Sequence, residues 1–115
     1  MDMQIVPADA IVTEPLDVGP DSKLHLTDVI AQAHGAPFTA GVCEVFGGAP
    51  VDFDYDDDAA VCYMLDGEIT LTEGGESRQF NPGDVVYIPR KEGLLVYWST
   101  ASYGRFFYVT YPHWR

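Results

Sequence analysis

The feature that most constrains this chain is its punctuation: Asp66-Gly67, Gly74-Gly75, Asn81-Pro82-Gly83-Asp84 and Pro89 cut residues 60–89 into short strand-like runs. Glycine enters the left-handed turn region without steric penalty, and proline cannot donate to a β ladder. The pattern predicts strands over Ala60–Leu65, Glu68–Leu71, Ser77–Phe80 and Val85–Ile88, the last stopped by Pro89. Asp66-Gly67 is a favoured two-residue hairpin dipeptide and predicts a hairpin between the first two.

The rest of the chain reads the same way. Lys23–Ile30 alternates well enough for a strand. In Phe38–Phe46 the two-residue period puts Ala40, Val42, Glu44 and Phe46 on one face and Thr39, Gly41, Cys43 and Val45 on the other, neither fully polar. Both faces are therefore expected to be covered. Gly93–Trp98 and Arg105–Tyr111 are expected strands, and no internal segment has a helical period. Residues 1–22, with Pro7, Pro15 and Pro20, read as an irregular arm that packs across a barrel of residues 23–115 or swaps onto a partner. The fold class is all-β.

At 115 residues there is room for one domain. No run approaches the ~20 apolar residues of a membrane helix, and the start Met-Asp-Met-Gln-Ile-Val is not that of a signal peptide, so the expected location is the cytoplasm. The net charge of −12 is uneven: residues 1–58 hold 12 acids against the single Lys23, residues 59–115 hold 6 acids against 5 bases. Nucleic acid and anionic membranes are disfavoured as partners, because phosphate binding needs clustered cations. Cys43 and Cys62 lie in apolar runs and read as buried, reduced thiols.

The spacing Gly48-(five residues)-Asp54-x-Asp56-(three)-Ala60-(six)-Gly67, then Gly83-(five)-Pro89-x-Lys91-(two)-Leu94, resembles the two motifs of the cupin superfamily. Within it, Tyr63–Glu68, Pro82–Lys91 and the ending Arg105–Trp114 are similar to the cupin domain of the ethanolamine-utilisation protein EutQ family. The resemblance implies a double-stranded β-helix, or jelly-roll barrel, and a role linked to ethanolamine or a similar small metabolite. Kinase activity has been ascribed to that family and is not carried over: the chain has no Gly-rich phosphate loop, and Ala59 and Ala60 replace acidic family positions. Ligand positions that hold His, His, Glu and His in metal-binding cupins are here Asp54, Asp56, Ala60 and Leu94.

Ala60 and Leu94 carry no donor atom, so neither a metal nor another cofactor is expected; Asp54 and Asp56 alone make a weak alternative site. Asp52-x-Asp54-x-Asp56 begins like an EF-hand loop but has Asp57 at the glycine position and Tyr63 at the bidentate Glu position, which favours a solvated acidic edge. His25, His34 and His113 show no ligand spacing. The aromatic residues of the later strands either fill the core or line a small-molecule pocket. In the pocket reading, Glu44, Tyr63 and Tyr108 are the polar, candidate catalytic groups and Tyr87, Trp98, Phe106 and Arg105 bind the ligand. Glu44 stands out as a carboxylate among apolar neighbours. Two functions follow: metal-independent binding or processing of a small metabolite, with isomerase- or lyase-type acid–base chemistry if catalytic, or a non-catalytic homodimeric scaffold with a packed barrel.

Overall fold

The computed structural model describes residues 2–16 and 23–115. Among the described residues ten strands carry the fold: β1 (Glu14–Leu16), β2 (Leu24–Ile30), β3 (Thr39–Phe46), β4 (Val51–Asp54), β5 (Ala59–Gly67), β6 (Ile69–Glu73), β7 (Glu76–Phe80), β8 (Val85–Ile88), β9 (Leu95–Ser99) and β10 (Tyr103–Tyr111). Short 3₁₀ turns at Ala8–Ala10 and Gln32–His34 are the helical elements among the described residues. All pairings are antiparallel, in a six-stranded sheet of order β1-β2-β3-β10-β5-β8 and a four-stranded sheet of order β4-β9-β6-β7. The eight strand expectations hold, with two additions. Val51–Asp54, in the stretch expected as a solvated acidic edge, forms β4 and pairs with β9. Glu14–Leu16, within the expected irregular arm, pairs with β2 as an edge strand; Pro20 and the expected arm boundary at residue 22 lie outside the described residues.

The core forms where the two sheets face each other. Trp98 of β9 stacks on Phe106 of β10, with centroids 4.6 Å apart and planes 19° from parallel. Phe80 meets the indole edge-on from β7. Leu24, Val45, Met64 and Ile69 are almost wholly buried around this stack. Burying such side chains stabilises by about 1.5–3 kcal/mol each, which makes this inter-sheet layer the main source of stability.

The turns divide into two kinds. Gly74 and Gly75, both at positive φ, close the β6–β7 hairpin in two residues, as their sequence predicts. Asn81–Asp84 is a turn closed by the Asp84 amide on the Asn81 carbonyl at 2.9 Å, with Gly83 at φ +90°. Asp66-Gly67 differs from expectation: β5 and β6 do not pair, because β5 lies between β10 and β8 while β6 lies between β9 and β7. The dipeptide is the corner at which the chain leaves one sheet for the other. Gly67, at φ +76°, is required there because a Cβ would overlap the Tyr103 carbonyl.

Both faces of β3 are covered, and residues Thr39 to Cys43 are buried without interruption. Gly41 is where this matters most. It pairs with Tyr108 on one side and Asp28 on the other, and a Cβ at Gly41 would overlap the Thr27 carbonyl and the Tyr108 ring. The missing side chain lets that ring lie across β3 and reach β2.

Candidate functional site

A cavity of ≈ 370 Å³ opens between the sheets at the end marked by β4 and the C-terminal residues. Its size falls at the lower end of small-molecule sites, about 300–1,000 Å³. Aromatic walls come from Phe53, Tyr55, Trp98, Phe106, Tyr108 and Trp114. Ala60, Cys43 and Cys62 contribute small side chains, which is why space remains beside the Trp98 and Phe106 stack.

One polar atom in the wall is buried with no hydrogen-bond partner in the protein, Oγ1 of Thr110, which is 6% exposed; the Trp98 indole, 2% exposed, is set against the Tyr55 phenol and opposes the rise in its pKa that burial causes. Leaving a buried donor or hydroxyl unpaired costs about 1–3 kcal/mol. The indole can only donate; the hydroxyl can donate or accept.

Four carboxylates line the mouth: Asp52 and Asp54 on β4, and Asp57 and Asp58 on the loop leading into β5. The alternation of β4 keeps Asp52 and Asp54 exposed while Phe53 and Tyr55 turn inward. Asp58 alone among the four is buried, and that burial, with the charges of Asp54 and Asp57 beside it, pushes its pKa up to about 6. Burial also raises the Tyr55 phenol, and it lifts the Cys62 thiol to about 12 and the Cys43 thiol well above its usual value. Both thiols are free and held in the neutral form.

Asp28 organises the far wall. Its carboxylate accepts the Tyr108 hydroxyl at 2.6 Å, the Trp114 Nε1–H at 2.9 Å and the Arg115 Nε–H at 2.7 Å. Burial alone would raise this carboxyl, but the three donors and the guanidinium charge outweigh it and leave its pKa lowered. The Tyr108 phenol is raised by burial and by that same carboxylate. Arg115 also stacks over the Trp114 ring, 4.5 Å from its centroid, and Trp114 meets Phe53 edge-on. The last residues of the chain thus form part of the cavity rim.

Trp98, Phe106 and Tyr108, expected at a pocket, all line this cavity. Glu44, Tyr63, Tyr87 and Arg105 do not: they point from the opposite face of the six-stranded sheet, and their expected placement at the barrel mouth is corrected by the register. Tyr63 pairs with Phe107 and Tyr87 with Val61, all outward, whereas Tyr108 pairs with Cys62, both inward. Glu44 is the centre of a separate outer cluster, accepting hydrogen bonds from Thr13 of the arm at 2.5 Å and from the Tyr103 hydroxyl. Burial would raise it; these bonds, with Arg105 and His25 nearby, leave it lowered, and Tyr103 is pushed up to about 12. Arg105 lies opposite Glu44 in the β10–β3 register.

Asp54 is at the cavity mouth, while Asp56 turns away and accepts the Gly93 amide at 2.7 Å. The cupin metal set does not fit here. Ala60 has no donor, Leu94 packs apolar against the core, no histidine lines the cavity, and its thiols are held protonated. Asp58, Tyr55 and Thr110 are the site residues that periodicity alone misses. For Asp58 the available signal is an acidic run, Asp56-Asp57-Asp58, abutting the buried strand that starts at Ala59.

A model of the family described as ethanolamine utilisation protein EutQ matches residues 2–115. The acetate kinase EutQ of Salmonella typhimurium is 29% identical over 92 residues, which cover 78% of this chain and 38% of that protein. The chain therefore spans well under half the length of that curated relative. Among solved structures, the ethanolamine utilization protein Q of Salmonella typhimurium LT2 superposes with a TM-score of 0.85 at 22% identity, covering 96% of this chain and 87% of the other. The EutQ protein of Clostridium difficile gives 0.84 at 21% identity, covering 97% and 82%. These two likenesses show the fold, a cupin barrel.

Proposed function

Because the chain belongs to the ethanolamine utilisation protein EutQ family, we propose that it is a cupin that binds a small metabolite in the cavity beneath Asp58, without the usual cupin metal set. The observation that carries this reading is the open cavity itself, ≈ 370 Å³ walled by aromatic side chains, with the Thr110 hydroxyl in its wall and Asp58 at its mouth. A packed core leaves no such space, and an aromatic-lined cleft with a few polar groups is the usual form of a small-molecule site.

If the ligand is processed as well as bound, the chemistry is metal-independent proton transfer of the isomerase or lyase type, and Asp58 is the group suited to it. Its pKa of about 6 lets it both accept and return a proton near neutral pH. Glu44 is on the wrong side of the sheet for this role. The acetate kinase activity of the Salmonella relative is not assigned to this chain, since phosphoryl transfer needs cations around the phosphate and this cavity presents carboxylates.

The test is a metabolite screen read by the indole N–H resonances of the protein's two tryptophans, assigned with Trp114→Phe. A compound that shifts the Trp98 signal and raises Tm supports the reading. A broad screen that moves neither overturns it.

A second reading, a non-catalytic homodimeric scaffold, is favoured by one observation. Val61, Tyr63, Leu65, Val85, Tyr87 and Phe107 form an exposed apolar face across β10, β5 and β8. With full aromatic areas of about 150–250 Å², their exposed fractions amount to roughly 600 Å², against about 800 Å² per partner in stable interfaces. These six side chains are uncharged in a chain of net charge −12, so this patch is where two copies meet with least repulsion. The two readings are compatible, because the cavity and this face lie on opposite sides of the sheet.

A further inference from the structure

We infer that Trp114 and Arg115 form a clasp that gates the inner half of the cavity, swinging away from Asp28 and Phe53 to admit a ligand and closing behind it. This rests on reading the cavity as a ligand site and names how access to that site is controlled.

The cavity is divided by depth. Asp52, Asp54 and Asp57 at its mouth are exposed, whereas Tyr55, Trp98, Phe106 and Tyr108 of its wall are buried. Cys43 and Cys62 line the same space, and each is only 2% exposed. A molecule at the mouth therefore meets carboxylates but not the inner wall. Part of the wall must move before it goes deeper.

Most of that wall is fixed by ladders, since it belongs to β2, β3, β4, β5, β9 and β10. Tyr55, just past β4, is held on both sides: its N–H donates to the Leu94 carbonyl and its carbonyl accepts the Lys91 N–H, each at 3.0 Å. The loop that follows is anchored by the Asp56 bond to the Gly93 amide. Trp114 is different. Tyr111, opposite Ala59, is the last ladder residue of β10, and Pro112 has no N–H with which to extend the pairing. Beyond it the chain is held by side chains. The His113 ring bonds the buried Thr39 hydroxyl at 2.6 Å and forms the pivot. Trp114 and Arg115 bond Asp28, and Phe53 meets the indole edge-on with centroids 6.4 Å apart.

These contacts cross the gap between the sheets. Asp28 belongs to β2 of the six-stranded sheet and Phe53 to β4 of the four-stranded sheet, so the Trp114 indole bridges two layers that share no ladder. Releasing it opens the cleft without breaking a strand pairing. The bonds to be lost are few and partly exposed, and Arg115 is half in solvent, so the opening lies far below global unfolding.

The cavity thiols report this motion without any ligand. The full chain is treated with methyl methanethiosulfonate, a small uncharged reagent, and formation of the methyl disulfide at Cys62 is followed by peptide mass at several urea concentrations below the unfolding transition. The parent rate is expected to change little with urea, because freeing two residues exposes little surface. Trp114→Ala removes one hydrogen bond and one aromatic contact and is expected to raise this urea-insensitive rate at least about tenfold. Trp114→Phe keeps the ring against Phe53 but loses the bond to Asp28. Its rate is expected between the other two, and it serves should the alanine variant fail to fold.

A parent rate that climbs with urea as steeply as global unfolding overturns the clasp, as does a Trp114→Ala rate within twofold of the parent. Either result leaves the cavity a ligand site, which the metabolite screen decides separately.

Discussion

The Tyr108 hydroxyl reaches over the backbone of Gly41 to donate to the Asp28 carboxylate at 2.6 Å. One bond thus ties the innermost strand of the larger sheet to β2, two strands away, and the same carboxylate secures Trp114 at the cavity rim. Asp28 fixes both the tyrosine ring and the end of the chain.

Replacing Asp28 by Asn is therefore expected to cost about 2–3 kcal/mol, because it weakens bonds from three donors of which two are partly buried. Arg115 is half exposed and contributes little of this. The folded-state pKa of Asp28 lies below its ordinary 3.8, so its stabilisation is fully present above that value and is lost as pH falls through the lowered one. Tm followed from pH 7 to pH 2 checks this: the wild-type and Asp28→Asn curves converge in strong acid.

Gly41→Ala is expected to destabilise by about 2–4 kcal/mol, although alanine is normally mild in a strand. Its methyl group meets the Thr27 carbonyl and the Tyr108 ring, neither of which has room to retreat inside the sheet. Urea unfolding measures the loss, and the double variant Gly41→Ala/Tyr108→Ala should recover part of it. Full additivity of the two changes would show that the ring does not occupy the space above Gly41.

How much of this was legible follows from what a two-residue period can say. The period separated Tyr63 from Tyr108 only up to parity. In a sheet covered on both faces, hydrophobicity does not reveal which parity is inward. The outward Val61, Tyr63 and Phe107 look as core-like as the inward Cys62, Met64 and Phe106, so from sequence alone Tyr63, Tyr87 and Glu44 fit the mouth as well as Tyr108 and Trp98 do. Asp66-Gly67 failed for a related reason: a glycine turn reports a reversal of the backbone but not which sheet the next strand joins. The turns at Gly74-Gly75 and Asn81–Asp84 and the existence of eight of the ten strands need no long-range information and are legible in the chain.

The outer face predicts association. In the dimeric arrangement Tyr87, 65% exposed on the edge strand β8, and Tyr63, its neighbour across the Val61–Tyr87 and Tyr63–Val85 pairs, both become buried. Tyr63→Glu/Tyr87→Glu is then expected to give monomers in light scattering at concentrations where the parent chain is dimeric, with an unchanged far-ultraviolet spectrum. A parent chain that is monomeric at about 100 μM removes the basis for this interface.

Glu44 ties the arm to the outer face of the larger sheet. Its carboxylate bonds Thr13 and Tyr103 on the outer face, so Glu44→Gln is expected to loosen the arm, at a cost of about 1 kcal/mol. Hydrogen exchange at Val12–Glu14 checks this: unchanged protection there would show that the Glu44 bonds do not hold the arm.

Asp58 should behave with the opposite pH sign to Asp28. Its folded pKa, about 6, lies above the ordinary 3.8, so the folded state holds the proton more tightly than the unfolded chain between those values. Stability linked to Asp58 is consequently greatest below pH 4 and falls as pH rises through 6, when a buried charge must be kept beside Asp54 and Asp57. Asp58→Asn removes that charge. It is expected to raise Tm at pH 8 by roughly 4 °C, about 1 kcal/mol, and to make no difference at pH 4. A variant more stable than the parent at pH 8 is the signature of a carboxylate retained at the expense of the fold. A variant destabilised at pH 8 would instead make Asp58 a structural residue with a partner in the folded chain.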